Sequence, residues 1–321
     1  MRICWALLLL SLPAFANPLA PAEELMKQGR YGEARPLLER RLSDPALKPH
    51  ALVLLTETCA AMGDYEDGIG YGKRAIKLLP NSSDAHYQYA RALRVKLRRV
   101  SRMRAMFLAG DYKSALKKAL ALDPGNLEAQ EEEIGFLVNA PGIAGGSLSK
   151  ARQRIDELKA VDLAVALRLE AMAEFKQGND KRGGELLRRV VELDPGNAED
   201  RVRLAVWLQD LERFPDAGEH LGVALEDTNR IHVQLARYQL ARSRILGRYD
   251  QANAIKLLRE YIENLEGNPE DLPSESNAYW RLGNAYEQLE QKGKAHQAYT
   301  RAIELDAGNK QAKQALKKLP G

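Results

Sequence analysis

Cysteine is almost missing from this chain. Its 321 residues include two, Cys4 and Cys59. With Cys4 inside an N-terminal leader, the remaining chain has no internal disulfide to lean on, so its stability must come from packing. Aromatic residues are also sparse, at 6%, and runs of β-branched residues are scarce, which argues against sheets. No apolar run reaches the about 20 residues needed to cross a bilayer. The five histidines, at 50, 86, 220, 232 and 296, show no metal-ligand spacing to one another or to a cysteine. A nucleophile elbow, a phosphate loop following a strand and a dinucleotide fingerprint are all missing. These absences predict no catalytic constellation, no metal and no cofactor. The net charge of +4 is too mild to name a partner, and no nucleic-acid ligand is expected.

What is present is helix-forming: Ala, Leu, Glu, Lys, Arg and Gln dominate. The exception is the start, "MRICWALLLLSLPAFANP". One positive charge (Arg2), an apolar run Ile3–Leu12, then Pro13 and small residues at Ala14 and Ala16 spell a secretory signal peptide. Residues 1–16 are therefore expected to be removed, with cleavage after Ala16, leaving 17–321 as an exported protein of the periplasm. Cys59 is expected to act as a small buried hydrophobe.

The motif "LDPGN" occurs at Leu122–Asn126 and Leu193–Asn197, with "LLPNS" (Leu78–Ser82) and "LDAGN" (Leu305–Asn309) in the same register. Pro80 to Pro124 is 44 residues, Pro124 to Pro195 is 71, and Pro195 to Ala307 is 112. A 34-residue unit with local insertions accounts for all three. The fullest copy is "SNAYWRLGNAYEQLEQKGKAHQAYTRAIELDAGN", residues 276–309. Its Leu282, Gly283, Tyr286, Ala295, Tyr299 and Ala302 place small residues where two antiparallel helices meet and large ones in the gaps. Weaker copies carry Gly63, Tyr65, Ala75 and Pro80, then Gly178 and Pro195, then Ala217 and Ala224.

This unit resembles the tetratricopeptide repeat (TPR). The resemblance implies an all-α, right-handed superhelical solenoid of about eight helical hairpins, closed by a C-terminal capping helix near Lys310–Leu319. Three departures punctuate it. Residues 84–110 hold no breaker, and Tyr89, Leu93, Leu97, Val100, Met103 and Phe107 recur on one face, predicting a single long helix. The loop "NAPGIAGGS", 139–147, replaces a tight turn, with Ile143 expected to tuck back onto a neighbour, Phe136 near the packing layer and Ala151 at a small-residue position. A proline-bearing linker, 266–275, precedes the last repeat, 276–309. Together they resemble a group of exported proteobacterial TPR proteins that carry an "APGIAGGS"-type loop and have no settled activity.

The resemblance implies a protein or peptide partner held in the concave groove, with a small ligand as a further option. The groove-lining positions of the family fall here on Asn277, Trp280, Arg281 and Asn284, and Arg237 and Arg244 on the preceding helix extend the surface. An accessory ligand-binding component of envelope transport, like the T-component of some TRAP transporters, is the alternative reading. A basic surface at Arg91, Arg98 and Arg102 suggests contact with an anionic envelope surface, weighed against a solvated face. The glycine-rich loop, opening a helix at Ser147, reads as spacing ahead of an anion site.

Overall fold

The computed structural model describes residues 17–319 other than Asn268 and Glu270, and other than the side chains of Arg102 and Met106. The leader at 1–16 lies outside the described residues. The described chain is all α-helix and turns, with no strand among the described residues. Helices follow in consecutive pairs joined by short turns, which makes each pair antiparallel. They are α1 (Ala20–Lys27) and α2 (Tyr31–Arg40), α3 (Lys48–Met62) and α4 (Tyr65–Leu78), α5 (Ser83–Arg99) and α6 (Arg102–Leu122), and α7 (Leu127–Asn139) and α8 (Leu148–Leu158). Then come α9 (Leu163–Lys176) and α10 (Asp180–Leu193), α11 (Ala198–Asp210) and α12 (Phe214–Ala224), α13 (Arg230–Leu246) and α14 (Gln251–Glu263), and α15 (Glu275–Gln288) and α16 (Lys292–Leu305). A last helix, α17 (Lys310–Lys318), packs on α15 and α16.

The repeated motif has a mechanical meaning. In "DPGN" the aspartate carboxylate accepts from the glycine N–H two residues on: Gly125 to Asp123 at 2.9 Å, Gly196 to Asp194 at 3.1 Å, Gly308 to Asp306 at 2.7 Å. The asparagine then caps the next helix, with Asn126 accepting from Ala129 N, Asn197 from Asp200 N and Asn309 from Ala312 N. One motif ends a helix, reverses the chain and starts the next. A second relay fastens the layers. Ser83 Oγ donates to Ala119 O at 2.9 Å and receives Asn126 Nδ2 at 2.9 Å, and Ser276 repeats this with Ala302 O and Asn309 Nδ2.

Packing follows the small-against-large rule. A Cβ on Gly283 would lie 2.3 Å from the Tyr299 ring, and one on Gly184 would lie 2.0 Å from Trp207. Tyr299, Ala295 and Ala302 are fully buried. The core is a chain of contiguous clusters, the largest running from α9 to α16. Each unit depends on its neighbours to cover its apolar face.

Two expectations are corrected. The helix predicted over 84–110 is broken: Val100 and Ser101 are extended (ψ 164° and 152°), and α5 and α6 fold back on each other as a hairpin. The apolar stripe misled because it does not face one core. Tyr89 and Leu93 are buried and Leu97 packs against the same cluster, whereas Met103 is 72% and Phe107 77% exposed. The burial of α6 starts at Tyr112, which packs on Phe136 with ring centroids 5.6 Å apart. The second correction is Ile143, which does not tuck back and is fully exposed on a short 3-10 turn, Gly142–Ala144. Elsewhere the loop follows its predicted use. Ser147 caps α8, Ala151 is buried, and a side chain on Gly146 would strike Ala140 O at 1.8 Å.

The array makes one circuit and meets its own start. Asn229 Nδ2 donates to Lys27 O at 3.0 Å and Arg230 N to Gln28 O at 2.8 Å, a contact across 202 residues of sequence in the first case. Gly29 fits this seam, because a Cβ there would lie 2.7 Å from Asn229 and 3.0 Å from Ile231 N. Glu266 of the linker reaches back to Arg230 at 2.6 Å, and Leu272 is buried near Ala61 and Met62. The linker therefore fills the seam, and α14 to α17 continue beyond it.

Candidate partner-binding surface on the concave face

The first helix of each pair carries the polar side chains that face the inside of the circuit. Most of their charges are matched. Arg91 pairs with Glu57 at 3.5 Å, Arg94 with Glu132 at 3.1 Å, and Arg168 with the buried Asp200 at 3.4 Å. Burial raises the carboxyl pKa of Glu57, Glu131 and Asp200 above the usual range, with the neighbouring arginines opposing it. Arg91 also sits among Tyr31, Tyr87 and Asp271 of the linker. It shares a helix face with Arg98 but not an environment, since Arg98 is exposed at the end of α5. The basic row expected of Arg91, Arg98 and Arg102 is thus split. Arg91 is an interior group, and the Arg102 side chain lies outside the described residues.

Arg281 is the exception to this matching. Its guanidinium lies 4.1 Å over the Trp280 ring centroid and close to the Tyr238 hydroxyl. Its Nε is buried without a hydrogen-bond partner, and no carboxylate contact is found for it among the described residues. Burial lowers its pKa below the ordinary guanidinium value, Tyr238 works the other way, and the like charge of Arg242 adds to the lowering. Tyr238 itself is buried and packs its ring at a tilt against Tyr261, with centroids 5.4 Å apart. Arg242, one turn along α13 from Tyr238, engages Gln209 and lies 3.6 Å from Asp210. The result is two cations, a tryptophan face and a tyrosine hydroxyl at one place, with a shortage of negative charge.

The other predicted groove residues divide. Asn284 donates to Tyr299 Oη at 3.1 Å, Tyr299 donates to Glu287 at 2.6 Å, and Asn284 Oδ1 is buried without a partner. Its amide is thus partly spent on the hairpin core. Asn277 is half-buried in the first turn of α15. Arg237 and Arg244 are not brought to Arg281. Arg237 pairs with Glu260 of α14 at 3.3 Å, and Arg244 lies 3.2 Å from Asp250 in the α13–α14 turn. Sequence reasoning missed Arg242, whose signal was its place four residues after Tyr238 on one helix face.

A cavity of about 570 Å³ opens elsewhere. It lies between α14, α15 and α16, lined by Arg259, Tyr279, Leu282, Tyr286 and Lys294 among others. No group of three or more His, Cys, Asp or Glu among the described residues could hold a metal ion. No described helix is long and apolar enough to cross a membrane.

Two family models match, both described as tetratricopeptide repeat, at residues 19–83 and 276–309. No curated protein matches the chain. Among solved structures, a thermophilic TPR protein of Thermus thermophilus is similar at 22% identity and TM-score 0.54, over 60% of this chain and 98% of that one. The APC/C hetero-tetramer Cut9–Hcn1 is similar at 14% identity and TM-score 0.60, over 94% of this chain and 55% of that one. The human IFIT1 dimer with PPP-AAAA is similar at 16% identity and TM-score 0.60, over 93% and 71%. At these identities the likeness concerns the fold alone.

Proposed function

We propose that this chain, which matches the tetratricopeptide repeat at residues 19–83 and 276–309, is a non-catalytic periplasmic scaffold holding a protein segment on its concave face. Such repeats generally serve as interaction scaffolds. One observation carries the reading. Arg281 is a half-buried cation stacked on Trp280, its Nε enclosed without a hydrogen-bond partner, with Arg242 nearby and no carboxylate contact of its own among the described residues. A buried charge left unmatched is costly, and a carboxylate from a partner removes that cost through a charge-assisted hydrogen bond. Trp280 supplies a stacking face beside it. The partner class is therefore a segment bearing Asp, Glu or a terminal carboxylate next to an apolar or aromatic residue. The signal-like leader is what supports export.

The circuit closed at Asn229 and Lys27 also suits an accessory ligand-binding component of envelope transport, since it surrounds an interior. The charges facing that interior favour a polar occupant over an apolar one.

The test uses mature protein recovered from the periplasmic fraction, its first residue read by mass spectrometry, with Asn17 expected. Displayed random peptides are selected on it and on Arg281→Gln. The wild type is expected to enrich acidic segments, and Arg281→Gln to bind them at least about tenfold more weakly, in line with hydrogen bonds to charged groups. Equal enrichment by both proteins would sink the site. Selection of no peptide, together with saturable binding of a small anionic solute, would favour the transport reading.

A further inference from the structure

The outward end of the α5–α6 hairpin departs most clearly from the logic of the repeat. From residue 102 to 111, α6 has no buried side chain among those described, and burial begins only at Tyr112. At 1.5 Å per residue this is about 15 Å of helix whose described side chains are exposed or half-buried. Met103 and Phe107 lie one turn apart on one face of it, 72% and 77% exposed. Isolated exposed apolar residues are ordinary, but two large ones on one helix face call for a partner. The fully exposed Ile143 lies on a turn that is tied to the same helix by Lys113 Nζ to Ala144 O at 3.2 Å.

The setting of these side chains is cationic. Between residues 98 and 118 the chain carries Arg98, Arg99, Arg102, Arg104, Lys113, Lys117 and Lys118 against a single acid, Asp111. Arg98 and Arg99 have contacts of their own and are nonetheless exposed, as is Arg104. The N-terminus of α6, at Arg102, adds the positive end of a helix dipole at the tip. The tip is the end of a helical hairpin. An apolar tip flanked by cations suits a soft, flat, anionic surface, into which such side chains sink about 5–10 Å while the cations meet headgroups.

We propose that the α5–α6 tip docks the protein peripherally on an anionic phospholipid bilayer, with Met103 and Phe107 inserted and Arg104 among the cations that hold the phosphates. This site is separate from the concave face and does not depend on Arg281.

Sedimentation of mature protein with phosphatidylglycerol vesicles and with phosphatidylcholine vesicles tests it. The wild type is expected to sediment with the first and not the second. Met103→Ser/Phe107→Ser should lower the partition constant at least about tenfold, the scale set by losing two partly buried apolar side chains. Arg104→Glu should weaken binding and lessen its dependence on salt, since one attraction to the phosphates is gone. Phe107→Trp keeps the apolar tip and should bind like the wild type, gaining blue-shifted emission on phosphatidylglycerol vesicles. Circular dichroism confirms that each variant is folded. No wild-type binding to anionic vesicles, equal binding to both vesicles, or unchanged binding by the double serine variant overturns the proposal. So does emission from the Phe107→Trp variant that does not shift between buffer and phosphatidylglycerol vesicles.

Discussion

Cys59 shows how one side chain reports on the packing around it. It lies in α3 with no exposed surface, facing Gly68 of α4, whose Cβ would sit 3.4 Å from the cysteine Cβ. Burial pushes its thiol pKa up to about 12, with Arg35 opposing and Asp67 adding to the rise. The reactive species is the thiolate, so the folded protein should resist thiol reagents at pH 8. Labelling should be slow in buffer and stoichiometric in urea. Fast labelling of the folded protein would mean that α3 and α4 part on their own. The linkage has a sign. Between the ordinary thiol range and about 12, the folded state keeps a proton that the unfolded state releases. This group's contribution is therefore fully present below that window and is lost as pH rises through it.

At the scale of elements, Asn126 and Asn309 each do two jobs at the turn that ends one repeat and starts the next. Asn309 Oδ1 accepts from Ala312 N at 2.9 Å and its Nδ2 donates to Ser276 at 2.9 Å, with the side chain buried. Asn309→Ala removes the cap of α17 and its tie to α15, and should cost about 1–2 kcal/mol for the cap alone. Amide exchange in 310–318 should accelerate while exchange in α11 stays unchanged; uniform acceleration would show that α17 is not a separable cap. The motif was legible because its chemistry is local: an aspartate turn, a φ-fixing proline and a capping asparagine. The break at Val100–Ser101 was not legible, because neither residue is a helix breaker and the apolar period runs straight across it. Only the fold reveals that Leu93 and Phe107 serve different surfaces. Trp280 and Arg281 were readable from their repeat positions, whereas the separation of Arg237 and Arg244 from them depends on which way α13 turns its face.

The whole molecule is set by the seam between its first turn and α13. No local pattern announces this contact, since Lys27 and Asn229 are joined only by the summed curvature of everything between them. Gly29→Ala places a methyl within 2.7 Å of Asn229 and holds alanine at a φ of +69°, so the seam should open while the helices persist. Small-angle scattering should report a larger radius of gyration with an unchanged far-ultraviolet spectrum. An unchanged radius would show that the Glu266–Arg230 bridge and the linker hold the circuit without the glycine contact. Stacked repeats each add a small rotation to the superhelix. A seam that joins the first turn to α13 therefore behaves like a vernier. An occupant that slightly alters each stacking angle along the concave face moves the two edges by the total of those changes. A diffuse change in curvature would thus be summed into one local displacement at the seam, where Gly29 meets Asn229.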